Sequence, residues 1–114
     1  MTTKPRIAIT IGDAAGIGPE VTLKALEDPK FSTSAEIIVV GDAAHLSSVA
    51  SRFGLRPLSG SVSVEDLGNL PPDVNFGVDS AITGKAAAEN IVRAVELWRS
   101  GEIDAIVTAT ISKN

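Results

Sequence analysis

Three short runs of this chain are apolar almost throughout: Arg6–Ile11, Glu36–Val40 and Asp104–Thr108. Each is too short for a helix, and none alternates polar with apolar residues. Such runs suit strands covered on both faces, the situation inside a parallel sheet. Between them the apolar spacing becomes helical. Pro19–Leu26 reads as one helix. Asp42–Phe53 reads as a second, opened by an Asp whose carboxylate can accept from free first-turn amides. It closes at Gly54, with Pro57 just beyond. The longest is Gly84–Ser100, where Ala87, Ile91, Ala94, Val95 and Trp98 recur at spacings of three and four and share one face. Thr83 reads as its N-cap and Gly101 as its stop. Trp98, inside this stripe, reads as core rather than as a stacking platform.

Residues 54–83 are less regular. SVSVEDL alternates and reads as an edge strand. GNLPPDVNFG reads as a surface loop from its glycine, proline and asparagine content. The resulting order, strand–helix–strand–helix–irregular–helix–strand, predicts an α/β fold: three layers, a mostly parallel sheet with helices on both faces. No internal repeat, low-complexity tract or interdomain linker interrupts it. Ligands of open parallel sheets gather at the carboxyl ends of the strands. Three segments leave such ends: Gly12–Gly18, Gly41–Asp42 and Thr108–Lys113. A site is expected there if the three strands are neighbours.

The first of these segments is rich in glycine. Gly12, Gly16 and Gly18 permit positive φ angles and close backbone approach. Pro19 suits the first turn of a helix, whose free amides would then point back across the bend as a possible anion site. The spacing is neither G-x-G-x-x-G, since Val21 stands where the third glycine belongs, nor a P-loop, since no Gly-Lys-Ser/Thr follows. Asp13 and Glu20 would also repel phosphate unless turned away. Read alone, the segment is foremost a structural corner. Asp13 is foremost a cap for local amides, with metal binding or orientation of a substrate hydroxyl as alternatives.

Composition narrows the partners. With 44% apolar residues among 114 the chain can bury a core, and its 21% of charged residues excludes global disorder. A net charge of −4 with scattered Lys and Arg argues against nucleic acid, but leaves room for a phosphorylated metabolite. The absence of cysteine excludes disulfides and thiolate metal sites. No signal-peptide core and no apolar stretch of membrane-spanning length is visible, so a cytoplasmic protein without membrane association is expected. His45, the single histidine, reads as half exposed on the second helix, and no Ser/His/Asp nucleophile set assembles around it. Thr108, Thr110 and Ser112 can serve a ligand or local backbone. Lys113 reads either as a surface lysine or as a partner for a carboxylate or phosphate.

Taken together, PRIAITIGDAAGIGPEVTLKAL resembles the opening of the 4-hydroxythreonine-4-phosphate dehydrogenase family, a strand followed by Gly-Asp-Pro-Ala-Gly-Ile-Gly-Pro-Glu. Gly12, Asp13, Ala15, Gly16, Ile17, Gly18, Pro19 and Glu20 match, and Ala14 replaces the usual proline. GKAAAENIVRAVELWRSGEIDAIVTATISK is similar to the family's later helix and strand, which run into Thr-Ala-Pro-Ile-(Asn/Ser/His)-Lys. Thr108, Ala109, Ile111, Ser112 and Lys113 fit, with Thr110 in place of proline.

The resemblance implies a two-domain fold of the isocitrate/isopropylmalate dehydrogenase kind, a homodimer, NAD, and a divalent metal (Zn, Mg or Co). It implies oxidation and decarboxylation of 4-phosphooxy-L-threonine in pyridoxal phosphate biosynthesis. The alternatives are a sister enzyme for D-threonate or D-erythronate 4-phosphate, or a non-catalytic binding or assembly module. Gly12, Gly16 and Gly18 would shape the cleft, and Asp13 and Lys113 would bind the phosphorylated hydroxy acid. The family's His-Thr pair and its three metal-binding histidines fall beyond Asn114. Residues 1–114 are therefore expected to be the amino-terminal part of the fold, inactive alone, without a metal ligand or a catalytic residue of their own, and with exposed strand edges that favour association.

Overall fold

The computed structural model describes residues 4–58, 62–72, 74 and 81–109. Among the described residues four strands and four helices follow one another: β1 (Arg6–Thr10), α1 (Gly18–Leu26), α2 (Pro29–Ser34), β2 (Glu36–Gly41), α3 (Ala43–Phe53), β3 (Val62–Asp66), α4 (Ala81–Arg99) and β4 (Ala105–Thr108). The strands form one sheet in the order β3-β2-β1-β4. Every pairing is parallel, with Ile9 opposite both Val39 and Val107. The α/β reading and the edge position of SVSVEDL both hold.

Strand alternation sorts the apolar residues onto two faces. Ile11, Ile37 and Val39 pack with Leu23 of α1 and Leu46, Val49 and Ala50 of α3. Ala8 and Val40 pack on the other side with Ala94 and Leu97 of α4 and with Ile103. The sheet is thus covered by α1 and α3 on one side and by α4 on the other, which accounts for continuous apolar runs in β1 and β2. No helix among the described residues is long and apolar enough to cross a membrane.

Four expectations change. α2 lies in a stretch without a predicted element. Asp28 Oδ1 accepts from Lys30 N at 2.9 Å and caps it, Pro29 fills its first turn, and it ends before the extended Ala35. α4 starts at Ala81, so Thr83 is a buried helical residue and not the N-cap. Its buried stripe is Thr83, Ala86, Ala87, Asn90, Ala94 and Leu97, whereas Trp98 is 55% exposed. Ala87 and Ala94 belong to both the predicted stripe and the observed one. The helix is turned so that small residues meet the sheet, which places the indole outside. Finally, β4 is an outer strand: Ala105, Val107 and Thr108 are exposed, so its apolar run is not covered on both faces as expected.

The two ends of the sheet are tied differently. At the amino end, besides the backbone bonds Glu36 N to Pro5 O and Asp104 N to Arg6 O, both 2.8 Å, Arg6 N donates to Asp104 Oδ2 at 2.8 Å and the Arg6 guanidinium reaches Asp104 Oδ1 at 3.3 Å. At the carboxyl end, Ala109 N donates to Thr10 O at 2.9 Å and Leu67 N to Gly41 O at 2.9 Å. Gly54 and Gly101 close α3 and α4 with φ values of 65° and 80°, as their positions after the helices predict.

Candidate functional site

Because all four strands run the same way, every chain exit lies on one edge. The exits of β2, β1 and β4 are adjacent in that order, so the three segments singled out in the sequence start side by side. Thr10 pairs with both Val40 and Thr108 in register. The second half of the last exit, residues 110–114 with Thr110, Ser112 and Lys113, lies outside the described residues.

The β1 exit is the glycine turn. Of its three glycines only Gly12 has a positive φ, 74°. There a Cβ would meet the left-handed penalty, so glycine is required by the bend itself. Asp13 is 5% exposed, and its Oδ1 accepts from Ala15 N at 2.9 Å. Gly16 N returns to Asp13 O at 3.0 Å. The capping role expected for Asp13 is the one its carboxylate fills. Ala14 and Ala15 are buried, so the base of the bend is packed within the chain. Gly16 and Ile17 are exposed at its rim. A Cβ on Gly16 would lie 3.5 Å from Asp13 O, an ordinary contact, so the fold does not require glycine there.

α1 begins at Gly18, with Pro19 in its first turn. Ile17 offers its start no side-chain cap. Glu20, the one acidic group of that turn, is held by Lys24 at 2.7 Å. The negative charge that counted against an anion at this helix start is therefore partly neutralised along α1.

The β2 exit is built around Gly41 and Asp42. A Cβ on Gly41 would stand 2.7 Å from Ile11 Cδ1 and 2.9 Å from Cγ1, so glycine allows β2 to end against the buried Ile11. Asp42, 4% exposed, caps α3: its Oδ1 accepts from His45 N at 2.9 Å. Its Oδ2 accepts from Leu70 N at 3.0 Å.

His45 corrects the expectation of a half-exposed surface residue. It is 7% exposed, and its Nε2 lies 2.9 Å from Ala14 O in the glycine turn. Burial pushes its pKa below the usual value, against smaller opposing effects of the Ala14 carbonyl and the Asp42 charge. The signal was present in the sequence: His45 stands four residues before Val49, on the stripe that carries Leu46, Val49 and Ala50.

The loop after β3 is not a bare surface excursion over its described part. Besides the Leu70–Asp42 bond, Asn69 Nδ2 donates to Glu89 Oε1 at 3.2 Å and to Asn90 Oδ1 at 3.3 Å, which anchors it on α4. Leu70 and Pro71 face Asp42, His45, Ser48 and Arg52 across a cleft of about 520 Å³. Among the described residues, two buried side-chain polar atoms lack a partner, Thr10 Oγ1 and Asn69 Oδ1. Both stand at or just past strand ends. Unpaired buried polar atoms are costly, and they collect at this edge.

No three His, Asp or Glu among the described residues are grouped to hold a metal ion. The acidic side chains at the edge explain why. Asp13 and Asp42 accept backbone N–H groups, and Asp66 Oδ1 takes two, from Ala43 and Gly68, both at 3.0 Å. They stabilise turns, and the described residues do not fit a divalent cation.

The family model of the pyridoxal phosphate biosynthetic protein PdxA matches residues 13–114. The chain belongs to that family. Among its PdxA-family relatives, the D-threonate 4-phosphate dehydrogenase of Cupriavidus necator is 41% identical over 96% of this chain and 37% of its own length. The crystal structure of a 4-hydroxythreonine-4-phosphate dehydrogenase from Burkholderia phymatum superposes with a TM-score of 0.90 at 40% identity, over 98% of this chain and 38% of that one. The corresponding enzyme from Klebsiella pneumoniae gives 0.83 at 30% identity, over 96% and 38%. The resemblance carried by the glycine turn and the TATISK segment is thereby upheld, as is the fold class. The chain spans 37–38% of the length of these relatives.

Proposed function

We propose that this chain supplies the amino-terminal part of an NAD-dependent, divalent-metal-assisted dehydrogenase, a homodimer, that oxidises and decarboxylates a 4-phosphorylated four-carbon hydroxy acid. The observation that carries the reading is the juxtaposition of the β1 and β4 exits. Thr10 and Thr108 are paired, so the glycine turn and the segment leading to Lys113 start on neighbouring strands, about 4.8 Å apart.

Each residue has a part in that reading. Gly12 makes the bend, and Gly16 leaves the rim open to a ligand although the fold does not require glycine there. Gly18 starts the helix whose first amides take no side-chain cap. Asp13 holds the shape of the turn and supports the substrate from beneath it. Lys113 neutralises the carboxylate or phosphate. The divalent metal is held by residues outside those described, and NAD supplies the oxidation of the secondary alcohol to the ketone whose β-carboxylate then leaves.

The substrate is either 4-phosphooxy-L-threonine, in pyridoxal phosphate biosynthesis, or D-threonate or D-erythronate 4-phosphate. Relatives of near-equal identity carry names of both kinds, a threonate enzyme at 41% and a hydroxythreonine enzyme at 40%. The test is to express the complete open reading frame and follow NADH formation with each of the three phosphates, with and without divalent metal. Turnover of one of them in a metal-dependent manner is the expected result. If the frame ends at Asn114 and none of the three is oxidised, the dehydrogenase reading fails and the binding or assembly module takes its place.

A further inference from the structure

We propose that Asp42 and His45 act as one clamp that fixes the glycine turn against the 67–72 segment, which makes them positioning residues for the ligand received at this edge. The proposal rests on the dehydrogenase reading for its ligand, but not for the clamp itself. The geometry is a continuous chain of hydrogen bonds. Ala14 O lies 2.9 Å from His45 Nε2. A carbonyl has no proton to give, so Nε2 carries the hydrogen and donates. The backbone N–H of the same histidine donates to Asp42 Oδ1, and the other oxygen of that carboxylate takes Leu70 N. Exits from β1, β2 and β3 are thus joined through two side chains three residues apart at the start of α3.

The turn needs such a tie. Its internal bonds, Asp13 Oδ1 to Ala15 N and Asp13 O to Gly16 N, give it a shape but not a position. The His45 bond comes from outside it, on the packed side at Ala14, while Gly16 and Ile17 face out. Releasing Ala14 would let the rim that meets the ligand drift relative to the β4 exit. A displaced rim loses contacts that it makes to substrate and transition state alike, which weakens binding and leaves the chemical step unchanged.

The imidazole is buried in its neutral form. The charged groups on the elements around it are Asp42, Asp13 in the turn, Glu20 and Lys24 paired with each other on α1, Asp66 at the end of β3, and Arg52 farther along α3. Burial lowers the folded pKa of His45 below its unfolded value of about 6.5. Its contribution is therefore complete above that value and is lost as pH falls through the folded pKa.

The experiment uses the complete protein and reads two quantities. One is hydrogen-exchange protection of the Ala15 and Gly16 amides, referred to core amides of β2. The other is the division of the kinetic effect between KM for the phosphorylated hydroxy acid and kcat. His45→Leu keeps bulk and removes the donor. It should lower turn protection and raise KM about tenfold each, the scale of one lost hydrogen bond, with kcat within about twofold. His45→Gln keeps an N–H donor and cannot titrate. It should restore both quantities at neutral pH, and its turn protection should stay level as pH falls below about 6.5, where the wild type declines. Unchanged turn protection in His45→Leu overturns the clamp. Lost protection with unchanged KM overturns the positioning role. Should His45→Leu not fold, an identical acid response of wild type and His45→Gln is the overturning result. A wild-type protein without dehydrogenase activity would refute the functional reading instead, and the exchange data would still decide the clamp.

Discussion

The two ends of this sheet are held by opposite means. At the amino end, β1 and β4 are joined by Arg6 and Asp104, whose side chains are 41% and 50% exposed. At the carboxyl end, β1, β2 and the segment after β3 are joined by Asp42 and His45, 4% and 7% exposed. Exposed pairs are worth little, because water and salt screen them and ordering two long side chains costs entropy. Buried hydrogen bonds are individually modest as well, but removing one partner strands the other where water replaces it poorly. The end that must hold a shape for a ligand is therefore the one built from buried, mutually dependent groups. The end that only has to close the sheet adds nothing but an exposed side-chain contact to its backbone bonds, Glu36 N to Pro5 O and Asp104 N to Arg6 O.

That contrast breaks most sharply at Asp42. Asp42→Ala removes the cap of α3 and the acceptor of Leu70 N together. Losing the cap costs about 1 kcal/mol and stranding a partly buried N–H about 1–3 kcal/mol, so a loss of about 2–4 kcal/mol is expected in urea unfolding. Next comes Gly41→Ala. The new methyl would meet Ile11 Cδ1 at 2.7 Å, and Ile11 is completely buried. Overpacking of this kind costs about 1–3 kcal/mol, read as a lower urea midpoint at unchanged slope. A Gly41→Ala protein as stable as the wild type would mean that the carboxyl edge is looser than its contacts suggest.

Much of this end was legible in the sequence, and what was not has a physical cause. β1 and β2 follow from their short continuous apolar runs, α1 and α3 from their start and stop residues, and Gly54 and Gly101 mark helix ends because a left-handed residue is needed there whatever the surroundings. α2 escaped because six residues are too few to display a period. The rotation of α4 escaped because its alanines serve either of two overlapping stripes, and only the sheet it rests on chooses between them. Trp98 lies on the face that the spacing predicts as buried and outside the one that the sheet covers. The links of His45 to Ala14 and of Asp42 to Leu70 span 31 and 28 residues, beyond any local pattern. The burial of His45 is nonetheless readable from its place on the stripe of Leu46, Val49 and Ala50, which outweighs the usual exposure of a lone histidine.

A smaller effect separates the requirements of the fold from those of the ligand. Gly16 has no positive φ, and a Cβ there makes only ordinary contacts. Gly16→Ala should leave stability unchanged or raise it by about 0.4–1 kcal/mol, through the unfolded chain's lost freedom. If the rim receives the ligand, the same change should raise KM in the complete enzyme. A rise in thermal midpoint together with a higher KM is the expected pair of results. An unchanged KM would assign the open rim to folding history and not to the site.

The smallest effect is expected at the amino end. Arg6 N–H first, and then the Arg6 side chain, hold the Asp104 carboxyl below the usual carboxylate range. Because the folded pKa is depressed, whatever stability the contact provides is present above the unfolded pKa, 3.8, and is lost as pH falls through the folded value. Asp104→Asn keeps an oxygen that can still accept from Arg6 N, and loses only the charge. The variant should match the wild type at high salt and differ slightly at low salt, with the difference vanishing in acid. A large, salt-independent loss would contradict the contrast drawn between the two ends, since it would mean that an exposed pair carries the closure of the sheet by itself. The same measurement on Asp42→Asn should show the reverse signature. One oxygen remains for two backbone donors, Leu70 or His45 goes unpaired, and because the group is buried the loss should persist at every salt concentration.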